Sequence, residues 1–303
     1  MFRLIVIVFA TVPWGGSHAA DVVLLKSDSL EAYAETAEAV VANLEVPVVV
    51  YDLEGDRTRA YSVVARLKRR PPKVVIALGK KAAYAAHRKL PDVPIVFGQV
   101  TQPERYGLQG PQLTGVRHEV AIDEILSYLR LFVPDANRIG MLIWQGNQDQ
   151  KVTEAIQGAR ELGYVVRALR VNNAQDVPGA FMRLRREIDV FWLVPDHFVV
   201  TPENFRFLRD ETQRVKMPLI AYTENLVAAG ALMAAGPDRK AVGKQLAGLA
   251  ESVLEGASPE VLPMVDPDSI RVVLNRSTQE AIALEIDDAM LGFVDEVLQG
   301  DEQ

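Results

Sequence analysis

Residues able to do chemistry gather in short polar loops, each following an apolar run. The longest is Gln145-Gly146-Asn147-Gln148-Asp149-Gln150, directly after Ile139–Trp144. Ser27 follows Val22–Lys26, Lys80 follows Val74–Leu78, and Gln99 and Thr101 follow Pro94–Phe97. Asp196 and His197 follow Val190–Val194, and Thr223, Glu224 and Asn225 follow Leu219–Tyr222. Amides, hydroxyls, carboxylates and one ammonium set among apolar walls suit a small-molecule binding site. The candidate ligand contacts are therefore Ser27, Lys80, Gln99, Thr101, Gln145, Asn147, Gln148, Asp196, Thr223, Glu224 and Asn225.

The same residues argue against catalysis. The chain has no cysteine, which removes thiol chemistry. Beyond the first twenty residues the histidines are His87, His118 and His197, too widely spaced for a metal-ligand pattern. There is no G-x-S-x-G elbow and no P-loop, and Gly79-Lys80 is too little for a nucleotide site. Asp196-His197 lacks a nucleophile. No enzyme activity, metal or cofactor is expected. Each candidate also has a plainer role: Ser27 and Asp28 suit helix caps, Lys80 a solvated first-turn lysine, Asp196 a turn, and Trp144 and Tyr222 packing.

The elements that must position these loops follow from periodicity. Ile139–Trp144, the pivot strand near the middle of the chain, is a nearly unbroken apolar run, as in a strand buried on both faces, and a helical pattern follows from about Lys151 to Glu161. Before it, strands at Val22–Lys26, Val46–Tyr51, Val74–Leu78 and Pro94–Phe97 alternate with helices. The first of those helices is expected to be capped by Ser27-Asp28-Ser29, and the second ends in the basic cluster Lys68-Arg69-Arg70. Tyr106–Leu113 reads as loop and Ile122–Phe132 as an amphipathic helix. After the pivot come strands at Tyr164–Arg170, Val190–Val194, Leu219–Tyr222 and Ile270–Leu274. Helices are expected at Val177–Glu187, from Thr201-Pro202, over Asp238–Glu255 and from Thr278. Ala228–Ala235 is small and apolar, and the acidic tail after Asp287 reads as partly helical and otherwise solvated. Alternation of this kind implies parallel sheets with right-handed crossovers. Val75–Val96 and Val190–Ile220 echo one another: strand, helix, then a proline entering a short buried strand.

The 303 residues suffice for two domains, and a formal charge of −7 argues against a nucleic-acid partner. Residues 1–20 read as a signal peptide: Arg3, the apolar Leu4–Val12, then small residues at Ser17-His18-Ala19-Ala20. A periplasmic, exported protein is expected, without disulfides.

Leu113-Thr114-Gly115-Val116, the phrase Pro134-Asp135-Ala136-Asn137-Arg138-Ile139-Gly140, Val100-Thr101-Gln102-Pro103, Val194-Pro195-Asp196 and Met217-Pro218-Leu219-Ile220 stand in an order that resembles the substrate-binding proteins of ABC importers. The likeness is to the subgroup that includes tryptophan- and tyrosine-binding members, and it spans essentially the whole chain after residue 20. It implies an α/β, type I periplasmic-binding-protein fold: two Rossmann-like lobes with parallel sheets flanked by helices, joined by a three-segment hinge and closing on a ligand. Crossovers are expected near Arg117, Ala235 and Asp266. That gives lobe 1 as 21–117 plus 236–266 and lobe 2 as 118–235 plus 267–303. Implied partners are a small ligand, an amino acid among the options, and the membrane permease subunits of an importer, with the chain itself a monomer.

The loops depart from that subgroup. Its amino-acid binders resemble tyrosine–asparagine, then asparagine–serine, after the pivot strand; here Trp144 and Gln145 replace the first pair and the serine is missing. Glycine–threonine after the third strand becomes Gly79-Lys80, a cation in place of a small polar group. The expected function is an exported solute-binding protein for a small polar or amino-acid-like ligand. The alternative is a sensing module that presents its bound state to a membrane receptor or histidine kinase.

Overall fold

A computed structural model describes residues 20–146 and 150–299. The expected signal peptide, Ala20 apart, lies outside the described residues, as do Asn147 and Gln148.

In chain order the elements are β1 (Val22–Lys26), α1 (Glu31–Asn43), β2 (Val48–Asp52), α2 (Arg57–Arg69), β3 (Val74–Leu78), α3 (Lys80–Lys89), β4 (Ile95–Gly98), β5 (Leu113–Gly115), α4 (Ile122–Phe132) and β6 (Arg138–Trp144). There follow α5 (Gln150–Glu161), β7 (Val165–Val171), α6 (Val177–Leu184), β8 (Val190–Trp192), α7 (Pro202–Arg214), β9 (Leu219–Ala221), α8 (Glu224–Ala228) and β10 (Met233–Pro237). The chain closes with α9 (Arg239–Leu254), β11 (Ile270–Asn275), α10 (Arg276–Ala281), α11 (Asp288–Leu291) and β12 (Glu296–Leu298).

The chain forms two compact units: one runs up to Glu119 and adds Pro237–Ser269, and the other is Val120–Gly236 with the segment from Ile270. It therefore passes between units three times, after Glu119, Gly236 and Ser269.

The first unit holds a five-stranded sheet in the order β2-β1-β3-β4-β5, its strands parallel. Helices α2 and α3 cover one face through Val63, Val64, Leu67, Ala82 and Ala86. Helices α1 and α9 cover the other through Val40, Val242, Leu246 and Ala250. Helix α9 comes late in the chain yet lies against α1, so close that a Cβ on Gly243 would meet Thr36 O at 2.7 Å. The second unit holds a seven-stranded sheet, β12-β11-β10-β9-β8-β6-β7. Its faces are covered by α4 and α5 through Leu126, Leu129, Phe132 and Ala159, and by α6 and α7 through Phe181, Leu184, Phe205 and Leu208. Leaving out β11 and β12, the two orders match strand for strand: β2-β1-β3-β4-β5 against β7-β6-β8-β9-β10. The echo between Val75–Val96 and Val190–Ile220 thus joins equivalent strands.

Local chemistry sets several boundaries as the sequence predicts. Asp56 accepts from Thr58 N at 2.6 Å, Thr201 Oγ1 from Asn204 N at 3.2 Å, and Asp238 from Ala241 N at 2.7 Å, each filling an orphan amide at a helix start. Four expectations need correction. Ser27-Asp28-Ser29 does not cap α1, whose N-cap is Leu30 with no side-chain bond; Ser27 is turned toward another helix. Tyr106–Leu113 is not wholly loop, since Pro103–Tyr106 is a 3₁₀ turn and Leu113 opens β5. The small apolar segment before Gly236 ends in a strand, β10, whose Met233 and Ala234 pair in parallel with Ile220 and Ala221 of β9. The acidic tail is more than helix and solvent: β12 pairs with β11 in parallel, and Arg271 meets Glu296 at 2.5 Å, so one cross-strand ion pair accommodates an acidic edge strand.

Candidate functional site

In each sheet the chain moves outward from the first strand, then returns past it in the other direction. The reversal lies between β1 and β3 in the first unit and between β6 and β8 in the second. In open parallel sheets the crevice outside the carboxyl ends of such strands is where ligands bind. Ser27 and Lys80 leave β1 and β3; Gln145 and Asp196 leave β6 and β8. Gln99 and Thr101 follow β4, and Thr223, Glu224 and Asn225 follow β9, one strand further out at the same edge.

A side chain bonds across each switch point. In the first unit buried Ser27 Oγ accepts from Ala82 N at 3.0 Å, so the loop after β1 caps the helix that follows β3. Gly79, the N-cap of α3, has φ +82°, and a Cβ there would lie 2.4 Å from the Tyr33 hydroxyl and 2.8 Å from Ser27 Oγ. Only glycine allows that approach. Tyr33 is therefore part of this group, though no local signal marks it: it reaches the end of β3 from α1. Burial, then the nearby Asp28 carboxylate, push its hydroxyl pKa above the ordinary tyrosine value, so it stays a hydrogen-bond donor.

Lys80 is exposed, with its ammonium 4.7 Å from the Tyr106 ring centroid, a cation–π contact. Lys81 is held elsewhere, donating to Gly55 O at 2.7 Å. Gln99 adopts φ +57°, and its Nε2 donates to Ala32 O at 3.0 Å. Its Oε1 is buried and accepts no hydrogen bond among the described residues. Left-handed backbone and an orphan buried acceptor each cost about 1–3 kcal/mol. Thr101 is exposed.

In the second unit buried Asp196 spans the switch point. Its Oδ2 accepts from Trp144 N at 2.9 Å, and its Oδ1 from Phe198 N at 3.0 Å and Val199 N at 3.3 Å. Its carboxylate thus ties the end of β6 to the loop after β8. Above it Trp144 stacks on Phe198 with centroids 4.3 Å apart and planes at 29°, and Trp144 Nε1 donates to Asn172 O at 3.0 Å. His197 lies against Phe198, also at 4.3 Å. Gln145 is exposed beside this stack, its backbone N donating to Val171 O at 2.8 Å. Burial and then Asp196 raise the Tyr222 pKa, which places that ring near the same carboxylate. Thr223 is the N-cap of α8 without a side-chain cap bond, Glu224 pairs with Arg271 at 3.3 Å, and Asn225 is exposed. Among the described residues no group of three or more His, Asp or Glu is placed to hold a metal ion, and no helix is long and apolar enough to cross a membrane.

Known proteins share this architecture. A tyrosine-binding protein of Clostridioides difficile (strain R20291) is 25% identical over 240 residues, covering 77% of this chain and 69% of that protein. An uncharacterized protein of Rickettsia prowazekii, RP367, is 22% identical over 278 residues, 90% of this chain and 88% of that one. Among solved structures, the ligand-free, open form of CD0873, a substrate-binding protein with adhesive properties from Clostridium difficile, superposes with a TM-score of 0.80 at 20% identity, covering 93% of this chain and 100% of that one. A Streptococcus pneumoniae ABC domain in complex with L-Trp gives 0.64 at 18% identity, with 91% and 100% covered. These likenesses are to the type I periplasmic-binding-protein fold. Residues 37–298 match the model of one family, and the chain belongs to it: the ABC transporter substrate binding proteins.

Proposed function

We propose that this chain is the extracytoplasmic solute-binding component of an ABC-type importer, and that its ligand is a small polar or amino-acid-like molecule. The observation behind this reading is that Ser27, Lys80, Gln145 and Asp196 lie at the switch point of each sheet, with the loops after β4 and β9 one strand further out at the same edge. Ser27, Lys80, Gln99 and Thr101 serve the ligand from the first unit, and Gln145, Asn147, Gln148, Asp196, Thr223, Glu224 and Asn225 from the second. Asp196 contributes by shaping its loop, since three backbone amides already use its carboxylate. Tyr33 joins the set as a hydroxyl donor beside Ser27. The tyrosine-binding relative favours an amino acid, and Lys80 favours an anionic group such as a carboxylate. The chemistry is capture and release, with delivery to permease subunits.

A thermal-shift screen of the protein against amino acids, short peptides, nucleosides and sugars tests this. A ligand at a hundred times its Kd stabilises by about 2.7 kcal/mol. The expected hit is an amino acid whose shift is lost with Thr101→Ala or Lys80→Ala. A hit confined to sugars or nucleosides would overturn the ligand class. Ligand binding in cells whose uptake of that ligand is unchanged by loss of this protein would favour sensing over transport.

A further inference from the structure

The two switch points carry opposite charges. In the second unit buried Asp196 sits where an anion would, on the amides of Trp144, Phe198 and Val199. In the first unit Lys80 leaves β3 as Asp196 leaves β8, and the groups around it are donors. The amides of Lys80 and Lys81 open α3 behind a glycine N-cap and bond to no other described residue. Ser27 Oγ serves the next amide, that of Ala82, and its own proton meets no acceptor among the described residues. The Tyr33 hydroxyl lies beside it at the open face of Gly79. The Lys80 ammonium rests 4.7 Å from the Tyr106 ring centroid and pairs with no described carboxylate.

The carboxylates of the same loops are already engaged. Asp28 accepts from Ser29 N at 2.8 Å and lies 3.9 Å from the Lys81 ammonium. Asp52 pairs with Lys26 at 3.0 Å and Glu54 with Arg59 at 3.1 Å. Glu31 stands in the first turn of α1, where its charge complements the helix dipole, and Glu104 adjoins Arg105 in the 3₁₀ turn after β4. In the second unit Glu224 pairs with Arg271 at 3.3 Å. Gln99 Oε1, buried and without a hydrogen bond among the described residues, is a neutral amide oxygen that takes a hydroxyl as well as an ammonium. A cation drawn out of water needs a counter-charge, and an anion needs donors. We propose that the solute is recognised as an organic acid: Lys80, Ser27, Tyr33 and the first amides of α3 hold its carboxylate, and an α-ammonium is not required. This rests on the solute-binding reading and deepens it, since an amino acid then binds through the carboxylate it carries. The competing cation is exposed Arg170 of the second unit, whose Nη1 donates to Gln145 O at 3.4 Å.

The test is titration calorimetry of the protein with matched sets, each an amino acid, its deamino acid and its decarboxylated amine. The sets are tyrosine, phloretate and tyramine; leucine, isocaproate and isoamylamine; and serine, hydracrylate and ethanolamine. In a set that binds, the deamino acid is expected within about tenfold of the amino acid, and the amine is expected to give no heat. Lys80→Gln, which removes the charge and keeps the length, should weaken both acids by about tenfold or more, the loss of one charge-assisted bond. Arg170→Gln should bind them as the parent does. Matching circular dichroism melts establish that both variants are folded. An amino acid that binds while its deamino acid does not would overturn the inference and leave the solute-binding reading standing. Loss of binding in Arg170→Gln but not in Lys80→Gln would overturn the assignment of the carboxylate to the first unit. Silence from every member of every set would remove the amino-acid-like ligand on which both readings rest.

Discussion

Two aspartates do opposite jobs at the two ends of the pivot strand. At its carboxyl end Asp196 gathers the backbone amides of Trp144, Phe198 and Val199 and so fixes the candidate ligand loops. At its amino end Asp189 accepts from Asn137 N at 3.0 Å, from Arg138 N at 2.8 Å and from Arg138 Nε at 3.0 Å. The Arg138 side chain, followed by those backbone amides, holds the Asp189 carboxyl below the ordinary carboxylate range despite partial burial. A folded pKa below the unfolded value of about 3.9 stabilises at pH above that value, and the gain is lost as pH falls through the folded value. Asp189→Asn should therefore cost about 1–2 kcal/mol at neutral pH, after allowance for solvent screening of the pair. The gap between variant and parent should narrow as the pH falls below the ordinary carboxylate range. Urea melts at both pH values check this, and a gap that persists in acid would rule out the ionised carboxylate as its source. Only the local half of this was legible: Asp196 makes the turn with Phe198 and Val199 that the sequence suggests, but the strand ends that Asp189 and Asp196 hold lie 51 and 52 residues away, and nothing near either Asp marks that bond.

At the scale of elements, the legible features were those made by neighbours in sequence. The pivot strand, the helix after it and the caps Asp56, Thr201 and Asp238 depend on residues within a few positions. The polar loops at strand ends were legible for the same reason. Tyr33 was not, because it joins Ser27 only through the packing of α1 over β3. Strand β10 was hidden by alanine and glycine, which carry little β preference, and β12 by its acidic neighbours. The start of α3 is where a non-local contact matters most, since Gly79 combines φ +82° with the Tyr33 hydroxyl at its open face. Gly79→Ala should destabilise by about 1–3 kcal/mol from backbone strain alone, and it should weaken ligand binding further by displacing Lys80. Adding Tyr33→Phe should recover only the part due to the steric contact. Denaturant midpoints for the three chains separate the two parts, and a Gly79→Ala loss under about 0.5 kcal/mol would show that neither is at work.

At the scale of the molecule, neither unit is a continuous piece of chain, and that has a stability consequence. The first unit borrows α9 from beyond residue 236, and the second borrows β11 and β12 from beyond residue 269. Residues 20–119 alone would expose the sheet face that Val242, Leu246, Ala247, Ala250 and Val253 now cover, all at most 8% exposed. Burial of a Val or Leu side chain is worth about 1.5–3 kcal/mol, so losing five such positions removes roughly 5 kcal/mol or more even with two of them alanine. That rivals the whole net stability of a typical domain, about 5–15 kcal/mol. Fragment 20–119 should therefore be molten or aggregated. A chain joining 20–119 to 237–269 through a short flexible linker should fold cooperatively. The same holds for 120–236, where loss of Val272, Val273 and Leu274 uncovers the β10 edge, and which should need 270–299. Near-UV circular dichroism and urea titration of the four chains decide it. A cooperative transition in 20–119 alone would mean that α1 and the sheet suffice. Its absence would mean that the late helix is part of the first unit's core, and that the threefold crossing of the chain is a condition of folding as well as a route between units.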